Sequence, residues 1–412
     1  MRYWLLFVLL FSTIGYGQVS KEIFEEFKSK NYFKAKELYE KSKSSLSKTD
    51  RLLIEAVLDN AFNRLRESDK RITKLLQQKV PDSVALQLLR VRFDNAVKLY
   101  NYKTAAESIE TILGRFATQL TETEREDFRN SLKIWNALRE EPAQTVRIPG
   151  SVQQKMKTDK AGLKNLTLFT GTDSIDFIFD TGANISTITR STANKLNMKI
   201  IPANIKVGTI TGQSVQADLG VCPRLQFGDI EIRNAVFLIF EDQALHIAPI
   251  DYQIHGIIGF PIINALREIQ ITKDGYFIVP RAARHKPAIS NLALDGLTPL
   301  IYLDGMHFTF DSGADHTMLY QAFYERNKAA IEQMYKEDSV AFGGAGGQKN
   351  FAGYTISHTF NLQDKPVVLE KITLLKEKIK DEETVYGNIG QDLIRQFGKM
   401  TLNFGQMFIR FE

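Results

Sequence analysis

The sequence predicts an α+β multidomain chain in which a helical front part is followed by two copies of one β-rich unit. Three observations carry that expectation. From Ser20 to about Glu141 apolar residues recur at helical spacing and Gly114 is the one glycine. Beyond about residue 160 short apolar runs alternate with Gly-containing turns, the pattern of strands. Within that second part, an aspartate loop and its surroundings occur twice in the same order.

Taken from the N-terminus, Arg2 precedes the apolar run Trp4-Leu5-Leu6-Phe7-Val8-Leu9-Leu10-Phe11, which gives way to small residues at Gly15 and Gly17. That run is too short for a membrane span and fits the apolar core of a secretory signal over residues 1–18, removed near Gln18. The expected location is therefore the periplasm or cell envelope of a bacterium, with no membrane span in the mature chain. Cys222 is the lone cysteine, so an intrachain disulfide is excluded; its setting, Gly220-Val221-Cys222-Pro223, reads as a buried strand end with an inert thiol. A net charge of +5 over 412 residues, with Lys and Arg mixed among Glu, calls for neither nucleic acid nor a membrane surface as partner.

Residues 19–141 read as helices. Leu53, Val57 and Ala61, with Leu58, Phe62 and Leu65 beside them, form one apolar face. Pro81-Asp82-Ser83 opens the next helix, carrying Leu86, Leu89, Phe93 and Val97, and Thr121 with Glu124 forms a capping box ahead of Phe128, Leu132 and Trp135. Asn31-Tyr32-Phe33-Lys34-Ala35 is echoed by Asn101-Tyr102-Lys103-Thr104-Ala105, and 101 − 31 gives 70, about twice the 34-residue period of tetratricopeptide-like hairpins. The segment resembles such a repeat module; a generic helical bundle is the alternative. It would dock a protein partner, hold substrate, cover a cleft, or serve only as packing. The polar stretch 142–160 reads as a linker, followed by copies at 161–285 and 286–412.

In the first copy Phe177-Ile178-Phe179 runs into Asp180-Thr181-Gly182-Ala183-Asn184, and in the second Phe308-Thr309-Phe310 runs into Asp311-Ser312-Gly313-Ala314-Asp315. A distal Gly follows each at one offset: 256 − 180 and 387 − 311 both give 76, in Gly256-Ile257-Ile258-Gly259 and Gly387-Asn388-Ile389-Gly390. Between these anchors lie glycine turns, at Gly212 and at Gly343 to Gly347, and each copy closes with a hairpin pattern, Ile269–Ile278 and Met400–Ile409. Two copies of a unit pair about an approximate two-fold axis, which brings Asp180 and Asp311 together. Aspartates delivered into apolar surroundings are costly unless they share a proton. Such a pair suits water-mediated amide hydrolysis, with one member as base and the other as acid. Thr181 and Ser312 fit as hydroxyls holding the two loops together, and Gly182 and Gly313 as residues letting the backbones close.

These motifs, recurring twice in order over about residues 160–412, resemble the aspartic proteases, fused in one chain as in pepsin-like enzymes but with each copy similar to a retroviral protease subunit. The resemblance implies a bilobal, all-β catalytic part of two six-stranded-type barrels. It further implies Asp180 and Asp311 as the catalytic pair, Thr181, Gly182, Ser312 and Gly313 as the supporting loops, and flap tips at Gly212 and at Gly344, Gly346 and Gly347. A polypeptide substrate and no cofactor follow. Ala183 and Ala314, where pepsin-like enzymes place a hydroxyl, imply activity nearer neutral pH. Asn388 departs from the family, which has an aliphatic residue there, and the first flap has fewer glycines. The rival from another class is a silent or autoinhibited scaffold that binds peptides and recruits partners through its helices. Metal chemistry finds no support, since His246, His255, His285, His307, His316 and His358 lack ligand spacing; the glycines at 343–347 lack the Lys of a phosphate loop, and no nucleophile elbow occurs.

Overall fold

The structure, a computed structural model, describes residues 18–412 apart from 171–172, 209–213, 283–289, 345–346, 364 and 381–382. The expected signal at 1–18 thus lies essentially outside the described residues, as does the 209–213 turn. The described residues divide into two compact units: 18–143 together with 293–296, and 144–292 together with 297–412.

Among the described residues the first unit is built from seven α-helices, α1 (Gln18–Lys28), α2 (Tyr32–Ser42), α3 (Lys48–Ala61), α4 (Leu65–Leu76), α5 (Asp82–Lys98), α6 (Tyr102–Arg115) and α7 (Glu122–Ala137). The 31/101 echo marks two equivalent turns. Asn31 and Asn101 each cap the following helix, accepting from the N–H of Lys34 and of Thr104 at 3.2 Å, and the residues before them, Lys30 and Tyr100, take positive φ of 61° and 57°. A left-handed residue ending one helix and an Asn starting the next fold consecutive helices into a tight pair. Ala35 and Ala105, four residues after those asparagines, are both wholly buried. The capping box at Thr121 and Glu124 forms, and Glu124 also receives the buried Arg90 guanidinium at 2.7 Å.

The second unit holds the β-structure. Residues 142–160, expected as linker, carry strands Thr145–Arg147 and Val152–Lys155, each paired antiparallel to a strand distant in sequence. The polar faces that made this stretch look unstructured belong to edge strands, which keep half their residues in water. In the first copy the strands Lys164–Thr170, Asp173–Phe179, Gly256–Ile258, Ser186–Thr189, Ile230–Phe240 and Ser214–Phe227 pair in succession, and the last returns to pair with the first. In the second copy the order is Thr298–Leu303, Met306–Phe310, Gly387–Ile389, Met318–Leu319, Lys365–Leu375, Gly347–Leu362 and Asp338–Gly344. The closing hairpins, Glu268–Thr272 with Tyr276–Val279 and Lys399–Asn403 with Phe408–Phe411, join each other and Val152–Lys155 in one five-stranded sheet. The second copy also inserts a helix, Gln321–Met334, which buries Phe323, Tyr324 and Ile331 on one side. No helix among the described residues is long and apolar enough to cross a membrane.

Candidate active site

Asp180 ends a strand whose Phe177 and Phe179 are fully buried, and Asp311 ends one whose Phe308 and Phe310 are. Each strand runs parallel to the short strand containing its distal Gly, with Ile178 opposite Ile257 and Thr309 opposite Asn388. The backbone N–H of Asp180 donates to Ile258 O at 3.1 Å and that of Asp311 to Ile389 O at 3.0 Å, so both loops leave the sheet at one matched point.

The two loops then lock onto each other. Thr181 Oγ1 donates to Phe310 O at 3.0 Å and accepts from the Ser312 N–H at 2.9 Å; Ser312 Oγ donates to Phe179 O at 3.2 Å and accepts from the Thr181 N–H at 3.1 Å. Each hydroxyl therefore satisfies a carbonyl and an N–H of the opposite copy, all four groups buried, where an unpaired one is costly. Within each loop a carboxylate oxygen accepts from the glycine N–H, Gly182 to Asp180 Oδ1 at 2.7 Å and Gly313 to Asp311 Oδ1 at 3.0 Å. The glycines are required by proximity: a Cβ on Gly182 would lie 2.5 Å from Asp311 Cγ, and one on Gly313 2.4 Å from Asp180 Cγ. The same contacts set each carboxyl against the glycine of the other copy's loop.

Behind the loops, the N–H of Gly259 donates to Ser186 Oγ at 3.0 Å and that of Gly390 to Thr317 Oγ1 at 3.1 Å. Sequence reasoning missed these hydroxyls, although 186 − 180 and 317 − 311 both give 6 and the equal offset was readable. Asp315 and His316 follow Asp311, but Asp315 is held by Arg395 at 2.5 Å and by His316 at 2.9 Å, so its charge already has a cation. Among the described residues no group of three or more His, Cys, Asp or Glu is placed to hold a metal ion.

Burial, and then the charge of Asp311, push the Asp180 carboxyl up from 3.8 to about 7. Two carboxyls so placed hold one proton between them into the neutral range. Of the expected flap residues, Gly344 and Gly347 face each other at the end of the hairpin formed by Asp338–Gly344 and Gly347–Leu362. Gly346 lies outside the described residues, as does Gly212, which falls between the paired strands Lys199–Gly208 and Ser214–Phe227. Cys222 sits within the latter strand and is buried, which pushes its thiol up to about 11.

Comparison with known proteins gives two findings. Residues 166–262, the stretch containing Asp180 and its distal Gly259, match the family model described as aspartyl protease. Among solved structures, a retropepsin-like aspartic protease from Rickettsia conorii is similar, with 19% identity over 32% of this chain and 99% of that one and a TM-score of 0.24. No curated protein sequence matches the chain. The family match supports an aspartic protease assignment for the stretch that carries Asp180.

Proposed function

We propose that this chain is an aspartic endopeptidase in which Asp180 and Asp311 activate a water for attack on a peptide carbonyl. The observation that carries the reading is the reciprocal lock of Thr181 and Ser312, which holds two carboxylates against each other across the copies. Keeping two acids in such surroundings destabilises the fold, and that tension is characteristic of catalytic sites. In the reaction the ionised member takes a proton from water as its oxygen bonds to the carbonyl carbon, and the protonated member donates to the carbonyl oxygen. The resulting tetrahedral diol collapses as the amide nitrogen takes up a proton and the C–N bond breaks, giving an acid and an amine. The hairpin bearing Gly344 and Gly347 closes over an extended polypeptide in this reading. The apolar run Trp4–Phe11 supports export of the chain to the cell envelope, tested by fractionating the expressing cell.

The test is cleavage of a denatured protein mixture by the full chain across pH 3 to 8, beside Asp180→Asn and Asp311→Asn. Activity in the parent and its loss in both variants is the expected result. Cleavage surviving in either variant would remove the pair from the mechanism, and a parent that binds a pepsin-type transition-state peptide without cleaving would make the site a peptide-binding scaffold.

A further inference from the structure

The two copies place Asp, a hydroxyl residue, Gly and Ala in the same order at the carboxyls, but the strands beneath them differ in chemistry at one facing pair. In the first copy Ile178 lies opposite Ile257, an apolar pair beneath Asp180; in the second the equivalent positions are Thr309 and Asn388. Both polar residues are buried, with 1% and 6% of their surface exposed, and burial of polar groups is tolerated when they are mutually satisfied. Here they are: Thr309 Oγ1 donates to Asn388 Oδ1 at 2.6 Å, and Asn388 Nδ2 donates to Asp311 Oδ2 at 3.3 Å.

The order of that relay fixes its effect. Of the two acceptors within reach of the Thr309 hydroxyl, Asn388 Oδ1 at 2.6 Å is much nearer than Gly387 O at 3.3 Å, so we assign the proton to Asn388. That contact orients the amide so that its N–H₂ faces the carboxylate, and the reverse orientation would set two acceptors against each other. A fixed N–H aimed at a carboxylate favours its ionised form. Asp180 has an isoleucine where Asp311 has this donor, and Asp180 is also the more buried of the two.

We propose that Asn388, held by Thr309, is a positioning residue that keeps the shared negative charge on Asp311, so that Asp311 is the base toward water and Asp180 the acid toward the carbonyl. The assignment of roles rests on the peptidase reading above; the placement of charge does not. The upward shift of Asp180 runs in the same direction. Among the described residues the titratable group facing Asp311 is Asp180 from the opposite loop. On its own loop Asp315 is engaged by Arg395 and His316, and Asp392, from the helix after Gly390, is engaged by the N–H and hydroxyl of Thr317.

The test uses the full chain with Asn388→Ile, with Thr309→Ile/Asn388→Ile, which rebuilds the apolar pair of the first copy, and with Asn388→Gln, which keeps the amide. The first readout is the pH profile of kcat/KM, and the second is the ¹³C titration of the aspartate carboxyls, which needs no activity. Losing a charge-directed donor raises the lower apparent pKa of the pair, so the acid limb and the lower NMR step both move up by about one pH unit in the two Ile variants. Asn388→Gln should stay nearer the parent. Should Asn388→Ile fold poorly, the double variant replaces a matched pair and is read instead. An NMR step that stays in place in a folded Ile variant overturns the proposal. A parent chain that cleaves nothing would defeat the peptidase reading alone, leaving the NMR step to decide where the charge resides.

Discussion

Replacing Asp180 by Asn should abolish cleavage and at the same time make the β-rich unit more stable, by an amount that depends on pH. The direction follows from linkage. A carboxyl raised from 3.8 to about 7 on folding is protonated in the folded state but ionised in the unfolded state across that window, so its contribution to stability falls as pH rises. Below 3.8 both states are protonated and there is no penalty; above 7 the folded state carries the whole of it. At 1.36 kcal/mol per pH unit the interval corresponds to about 4 kcal/mol, drawn from burial and from repulsion by Asp311. A neutral amide in place of the carboxyl would incur neither cost. The advantage of Asp180→Asn over the parent should therefore grow by about 4 kcal/mol between pH 3.5 and pH 8. Both tryptophans, Trp4 and Trp135, precede residue 144, so fluorescence would report on the helices. Amide hydrogen exchange in Asp173–Phe179 and Met306–Phe310 reads the relevant unit directly. An advantage that is the same at both pH values would refute the shared-proton argument.

Two further outcomes are expected. Thr181→Val strips one side of the inter-copy lock and leaves the Ser312 N–H and Phe310 O buried without that hydroxyl; it should destabilise the β-rich unit by about 2–4 kcal/mol. A cycle with Ser312→Ala, read by hydrogen exchange, should show strong coupling between the two hydroxyls, and additive losses would mean that they act separately. Cys222 should resist a thiol reagent at pH 8 in the folded chain and react promptly once unfolded, since burial pushes its thiol up to about 11; fast labelling of folded protein would contradict this.

The paired loops were legible because their chemistry is carried by identity rather than by burial. An Asp, a hydroxyl, a glycine and a distal glycine at a repeated offset survive as text, and the lock between Thr181 and Ser312 follows from what a hydroxyl at that point can reach. The helical part was readable for the ordinary reason of period, and its echo at Asn31 and Asn101 turned out to mark a turn and cap. Less was readable where partners are far apart in the chain. Nothing local in Val152–Lys155 announces a strand, because its pairing partner is Tyr276–Val279. The helix Gln321–Met334 exposes most of its length, so its apolar side is too narrow to stand out. Asn388 was visible as an oddity, but its meaning needed Thr309, and only the parallel register makes those two neighbours.

The shared five-stranded sheet also sets a clock on biosynthesis. Its strands come from residues 152–155, 268–279 and 399–411, with the first copy's Glu268–Thr272 paired directly to Lys399–Asn403. Synthesis has therefore passed residue 403 before the strand at 268–272 finds its partner, and until then it presents an open edge, a form of contact that is slow to close and prone to wrong pairing. Asp311 likewise reaches Asp180 only once the second copy has emerged. A nascent or truncated chain would hold one carboxyl without the other, so the pair that the proposed peptidase chemistry requires would be missing from an unfinished molecule.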